Sequence, residues 1–237
     1  MRISKATLDG INAGEKEAKE EAPDEPQRYA DLFGSPLKHH GRRFKVCREV
    51  VGTVEPGETL RIISRGEFDI EHILAMVIDD IGPCDVHLAC WKIAQAPAAR
   101  IVQARKHGWI RRVRLVIDPR GALFSAGVGG LQTITRATGP SGVAKPASHA
   151  KVYLAGNDDR AVSIISSGNL NGNPRIENTI LIDGRAVYDF HRSWMEEVIA
   201  HRDPFEGGKG LWRHTQTKGK KRGATKAEKG IADAMKT

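Results

Sequence analysis

Apolar and polar positions alternate along this chain in two rhythms, one with a period of two and one near 3.6, and the switches between them mark the elements. From Glu58 onward the rhythm is regular. "TLRIIS" reads as a buried strand, and "FDIEHILAMVIDDI" places Ile70, Ile73, Leu74 and Val77 at helical spacing. "CDVHLACW" is the next strand, and "APAARIVQARKHG" is a helix that stops at a glycine. "RRVRLVID" predicts a third strand, and "ALFSAGVGGLQTI" a short helix or loop. "HAKVYLA", "AVSIISS" and "ENTILI" predict three more strands. "AVYDFHRSWMEEVIAH" closes the series as an amphipathic helix, with Val187, Phe190, Trp194, Val198 and Ile199 on one face. Upstream, "RRFKVCREVV" offers a first strand and "PGET" a turn. Strands alternating with helices predict an α/β sandwich built on a mixed central sheet.

The flanks differ from this core. Residues 1–30 are mixed in charge and poor in aromatics, which predicts a mobile arm. Residues 31–205 carry the periodic elements and form the expected domain. Residues 206–237 hold nine Lys or Arg against three Asp or Glu and predict a disordered basic tail. Over the whole chain 37 Lys and Arg face 29 Asp and Glu, a formal charge of +8. An anionic partner is therefore expected, with nucleic acid first and DNA placed ahead of RNA. Cys47, Cys84 and Cys90 lack the paired spacing of a zinc site or a disulfide framework and read as reduced thiols. No basic start leads into an apolar stretch as in a signal peptide, and no run approaches the roughly 20 apolar residues of a span. A cytoplasmic protein with no membrane partner is expected.

The chemistry concentrates in "SHAKVYLAGNDDRAVSIISSGNLNGNPRIENTIL", residues 148–181. In an extended strand His149 and Lys151 project from one face while Ala150 and Val152 project from the other. The next strand ends in a small-residue turn where Ser166, Ser167 and the Asn169 amide can offer donors. An imidazole, an ammonium and an amide at strand ends suit attack on a phosphodiester, with developing charge held by fixed donors. Such a site uses no metal and no cofactor.

This stretch resembles the HKD signature of the phospholipase D superfamily, which pairs His-x-Lys with a downstream Asp and then a Gly-Ser-x-Asn turn. His149-Ala150-Lys151 matches the first part. Ser166-Ser167-Gly168-Asn169 matches the turn, with Ser in place of the usual first Gly. Glu177 resembles the acidic residue that follows the turn. The family's Asp stands five residues after the Lys, where this chain has Gly156; Asp159 is the nearest substitute, as though the hairpin loop were longer. The resemblance covers about 145 residues, from about 58 to 202, and implies a phospholipase D-like fold with one half-site per chain.

Family members assemble two HKD motifs around one site, and this sequence has one. The resemblance therefore implies a homodimer, like the small bacterial and phage-type endonucleases of the superfamily. It also implies the roles: His149 of one subunit as nucleophile forming a phosphohistidine, and His149 of the other as acid. Lys151, Asn169 and Ser167 would hold the phosphate, Glu177 would orient a histidine, and Asp159 would stand in for the displaced acid. The expected function is a metal-independent phosphodiesterase, an endonuclease on nucleic acid. The alternative is a nucleic-acid-binding or processing accessory protein that keeps the fold with weak catalysis. Phospholipid hydrolysis ranks last, since no amphipathic anchor is visible.

The remaining signals are weaker. His87 alternates with apolar residues and is expected to pack, Trp194 reads as core, and His191 as solvent-facing. "AGVGGLQ" lacks both phosphate-loop spacings. Trp91, at a strand end, is placed where it could line the cleft.

Overall fold

The computed structural model describes residues 38–123, 125–172 and 175–201; the predicted arm at 1–30 and basic tail at 206–237 lie outside them. In chain order the elements are α1 (Lys38–Val51), β1 (Thr59–Ser64), α2 (Ile70–Ile81), β2 (Cys84–Cys90), α3 (Gln95–Lys106) and β3 (Ile110–Ile117). There follow α4 (Pro119–Leu123), α5 (Ser125–Thr138), β4 (Val143–Ala144), β5 (Val152–Gly156), β6 (Ala161–Ser166), β7 (Glu177–Asp183) and α6 (Arg185–His201).

The seven strands form one sheet in the order β1-β7-β6-β5-β2-β3-β4. β2, β3 and β4 run parallel, and the pairs β2–β5, β5–β6, β6–β7 and β1–β7 are antiparallel, so the sheet is mixed as expected. Parallel strands need a crossover, and α3 supplies it between β2 and β3. On one face Tyr153, Ala155, Val162, Ile164 and Leu181 pack against α2, α3 and α5. On the other, Val152, Leu154 and Val116 pack under α6. Alternate residues of β5 thus feed two separate cores, the period-two reading of "VYLA". All three thiols are buried, and burial pushes each of their pKa values up to about 12, so they are neutral core groups.

Three expectations are corrected. "RRFKVCREVV" is helix, not strand: Phe44 and Cys47 are buried and Val51 half-buried on one side. Its Arg48 reaches across to Asp79 (3.0 Å) and Asp80 (2.5 Å) of α2. The β-branched valines suggested a strand, but helix-helix packing overrides propensity. β1 is an edge strand, with Ile63 59% exposed. On α6 the buried positions are Tyr188, Met195, Val198 and Ile199, while Phe190 is 67% exposed and Trp194 half-buried.

Gly156 explains that rotation of α6. A Cβ at position 156 would stand 2.7 Å from the Tyr188 ring, so the ring occupies the space a side chain would need. Gly156→Ala is expected to destabilise the protein by about 1–3 kcal/mol through overpacking, read as a lowered thermal midpoint. The glycines of "AGVGGLQ" have a related use, since a Cβ on Gly130 would lie 2.2 Å from the carbonyl oxygen of Ile93. They let α5 press against the segment leaving β2. No helix among the described residues is long and apolar enough to cross a membrane.

Candidate active site

β5 begins, β6 ends, β7 begins and β2 ends at the same edge of the sheet, and this places the quoted stretch. Ser166 donates its backbone N–H to the Lys151 carbonyl (3.0 Å), and Ser167 donates to the Asn178 carbonyl (3.0 Å). The pairing of Ala89 with Val152 sets Cys90 beside Lys151. Lys151 just before β5, Ser167 just after β6 and Glu177 at the start of β7 therefore stand at the ends of three adjacent strands, within about two spacings of 4.8 Å.

His149 is exposed and Lys151 half-buried. The Lys151 ammonium lies 3.2 Å from Nδ1 and 3.4 Å from Nε2 of His149, and donates to the His149 carbonyl at 3.1 Å. Burial lowers the Lys151 pKa, against the opposing pull of nearby groups that include Glu177.

The Ser-Ser-Gly-Asn turn is held on every side. Ser167 donates its hydroxyl to Glu177 Oε2 and accepts the Asn178 N–H at 3.0 Å. Ser166 Oγ accepts the Gly168 N–H at 3.0 Å and bonds the Thr179 hydroxyl at 2.8 Å. Asn169 Oδ1 accepts the N–H groups of Trp91 (3.0 Å) and Lys92 (3.2 Å) as β2 ends. With its oxygen so engaged, the amide's Nδ2 donors are the part left for a ligand.

Asp159 is not part of this group. The register Val152↔Ile165 through Gly156↔Ala161 leaves residues 157–160 as the hairpin turn at the far edge of the sheet. There Asp159 and Arg160 donate their N–H groups to Asn157 Oδ1. At about 3.3 Å per residue the turn begins about 20 Å from Lys151. The expectation that Asp159 serves the site is therefore corrected. Position 156 lies at that same remote edge, so the missing acid is missing from the packing under Tyr188 and not from the group around His149, Lys151 and Asn169.

Two residues were passed over in the sequence. Buried Tyr153 donates its hydroxyl to the Gly168 carbonyl at 2.7 Å and braces the turn from below. It stands two residues after Lys151, which just precedes β5, and so follows the same period of two. Asp118 ends β3, fully buried, and its Oδ2 accepts the Ser148 N–H at 3.0 Å, one residue before His149. Burial pushes the Asp118 carboxyl up, but the Arg120 guanidinium and the N–H groups of Arg120 and Ser148 more than offset it, and its pKa lies below the ordinary carboxylate value. A depressed carboxyl stabilises the fold above its unfolded pKa of about 3.9, and that contribution disappears as pH falls through the folded value. Asp118→Asn is expected to flatten the dependence of the thermal midpoint on pH below about pH 4. The measurement is a melting series in acid.

His87 packs, as expected, in mid-strand and away from the site. Its Nε2 lies 2.9 Å from Glu196 of α6, and burial holds its pKa below the usual value against that carboxylate's pull. His191 is half-buried and accepts the Trp194 indole N–H at 3.1 Å. Trp91 is half-buried where β2 meets the site.

No protein-family model matches the sequence, and no curated protein matches it. Solved structures resemble it in part. The chain is similar to a phospholipase D family member, Nuc from Salmonella typhimurium, at 15% identity and a TM-score of 0.49, over 61% of this chain and 95% of that one. It is similar to NucT from Helicobacter pylori at 13% identity and a TM-score of 0.46, over 60% and 96%. Polyphosphate kinase from Porphyromonas gingivalis matches at 14% identity and 0.44, over 77% of this chain and 30% of the other.

Proposed function

We propose that this protein is a metal-independent phosphodiesterase that cleaves nucleic acid through a phosphohistidine at His149, in a site shared by two subunits. The observation that carries the reading is the gathering of His149, Lys151 and the Asn169 amide at one sheet edge, with Ser167 and Glu177 hydrogen-bonded beside them. A phosphate oxyanion is a stronger acceptor for Lys151 than an imidazole nitrogen. Its arrival draws the ammonium away and leaves a ring nitrogen of His149 to attack.

The steps balance as a double displacement. A nitrogen of His149 forms a bond to phosphorus as the bond from phosphorus to the leaving oxygen breaks, and the partner subunit's His149 gives that oxygen a proton. Water then attacks phosphorus, the partner's His149 takes its proton, and the phosphorus–nitrogen bond breaks. Lys151 and Asn169 hold the non-bridging oxygens throughout. Glu177 keeps the Ser167 hydroxyl oriented. Two subunits are invoked because the sequence holds one His-x-Lys and the chemistry needs both a nucleophile and an acid.

The binding-only alternative drew on the displaced Asp and on the altered Ser-Ser-Gly-Asn turn, and the remoteness of positions 156 and 159 removes the first of these. The test is cleavage of labelled single-stranded DNA, duplex DNA and RNA in excess EDTA, alongside sedimentation. Cutting in EDTA by a dimer supports the proposal, and DNA is expected to be cut ahead of RNA. Retained binding with no cutting would transfer the reading to an accessory protein.

A further inference from the structure

An open groove of about 430 Å³ lies beside the catalytic edge, within the roughly 300–1,000 Å³ range of ligand sites. One wall is a face of α5. Val128, Leu131 and Thr135 recur there at helical spacing, and Thr135 turns its hydroxyl back onto the Leu131 carbonyl (2.8 Å), presenting its methyl group outward. Pro119 lines the groove from the end of β3. Val128 is 38% exposed, a surface that the described part of the fold leaves uncovered.

The charged lining is cationic. Arg136 and Lys145 line the groove, neither has a carboxylate partner among the described residues, and no acidic residue lines it. Arg120 nearby is neutralised by Asp118, which leaves these two as the cations offered to a ligand. An apolar wall with two free cations fits a ligand that carries both a flat apolar body and a phosphate.

The groove is joined to the site by the chain itself. Pro119 follows Asp118, whose carboxylate holds the Ser148 N–H, and Lys145 stands four residues before His149. Four residues span at most about 14 Å. We propose that this groove is a subsite for a nucleotide flanking the cleaved phosphate: its base or sugar lies against Val128, Leu131 and Thr135, and its phosphate is held by Arg136 and Lys145. The inference rests on the phosphodiesterase reading and adds where the polymer runs. It also fixes the kind of recognition. An aliphatic wall favours a base over none, and Gln132, which also lines the groove, is a side chain able to hydrogen-bond a base edge.

The test uses the full chain carrying His149→Ala, so that a short fluorescein-labelled single-stranded DNA is bound without being cut. Anisotropy titrations at several salt concentrations compare this parent with the same chain carrying Arg136→Glu and Lys145→Glu. The reversal is expected to weaken binding by about tenfold or more, and to lower the salt slope by about one to two. The charge-preserving pair Arg136→Lys and Lys145→Arg is expected to rescue the loss, which separates lost contacts from lost folding. An abasic oligonucleotide of equal length is expected to bind the parent several-fold more weakly, with the difference narrowed by Leu131→Gln. Unchanged affinity and salt slope on charge reversal would overturn the groove and leave the phosphodiesterase reading standing. A parent that binds no oligonucleotide would overturn that reading, and the groove with it.

Discussion

His149→Ala is expected to lower phosphodiester cleavage by at least about 10³-fold while changing nucleic-acid affinity by only a few-fold. The imidazole is exposed, and the contacts it makes are with its neighbour Lys151, so its removal leaves the core and the turn intact. What it removes is the nucleophile, and in the two-subunit site also the acid. Steady-state rates in EDTA and anisotropy titrations on the same preparations check both halves. Mixing His149→Ala with a chain disabled elsewhere cannot restore activity if both histidines are needed in one site. Substantial cutting by the variant would remove His149 from the mechanism.

Asn169→Asp should be nearly as damaging and in a more diagnostic way. Asn169 Oδ1 accepts the N–H groups of Trp91 and Lys92, and a carboxylate can accept both, so the fold is retained. The substitution removes the Nδ2 donors and sets a negative charge where the phosphate must sit. A loss of about 10² to 10³ in turnover follows from deleting one oriented donor of this kind. Asn169→Ala instead strands two backbone donors at the end of β2, and should also cost about 1–3 kcal/mol of stability. Thermal melts therefore separate the two variants where activity alone does not. Full activity in Asn169→Asp, with melting lowered in Asn169→Ala alone, would mean that Asn169 only closes a turn.

The mixed-sheet α/β class was legible in the sequence, as was the local spacing of the candidate site residues. The period of two in "HAKVYLA" set His149 and Lys151 side by side, and they do meet, although both precede β5, which begins at Val152. Ser167 was legible from the turn at a strand end and Glu177 only through the resemblance; neighbouring antiparallel strands then bring the end of one beside the start of the next. Asp159 was misplaced for the converse reason: a count of residues along the chain does not reveal which end of a hairpin a loop occupies. Asp118 was illegible because its contact with Ser148 bridges 30 residues and depends on where β3 ends. α1 was misread because Phe44 and Cys47 acquire their meaning from packing on α2. The helical face of α6 was misread because Tyr188 turns inward over a glycine on another element, which no periodicity within α6 expresses.

The most direct measurement of the central claim is the stereochemistry at phosphorus. A dinucleotide phosphorothioate of one configuration would be hydrolysed in ¹⁸O-labelled water and the product's configuration determined. Two successive in-line displacements, first by His149 and then by water, give net retention. Inversion would mean that water attacks the phosphodiester directly, and would contradict a covalent intermediate on His149.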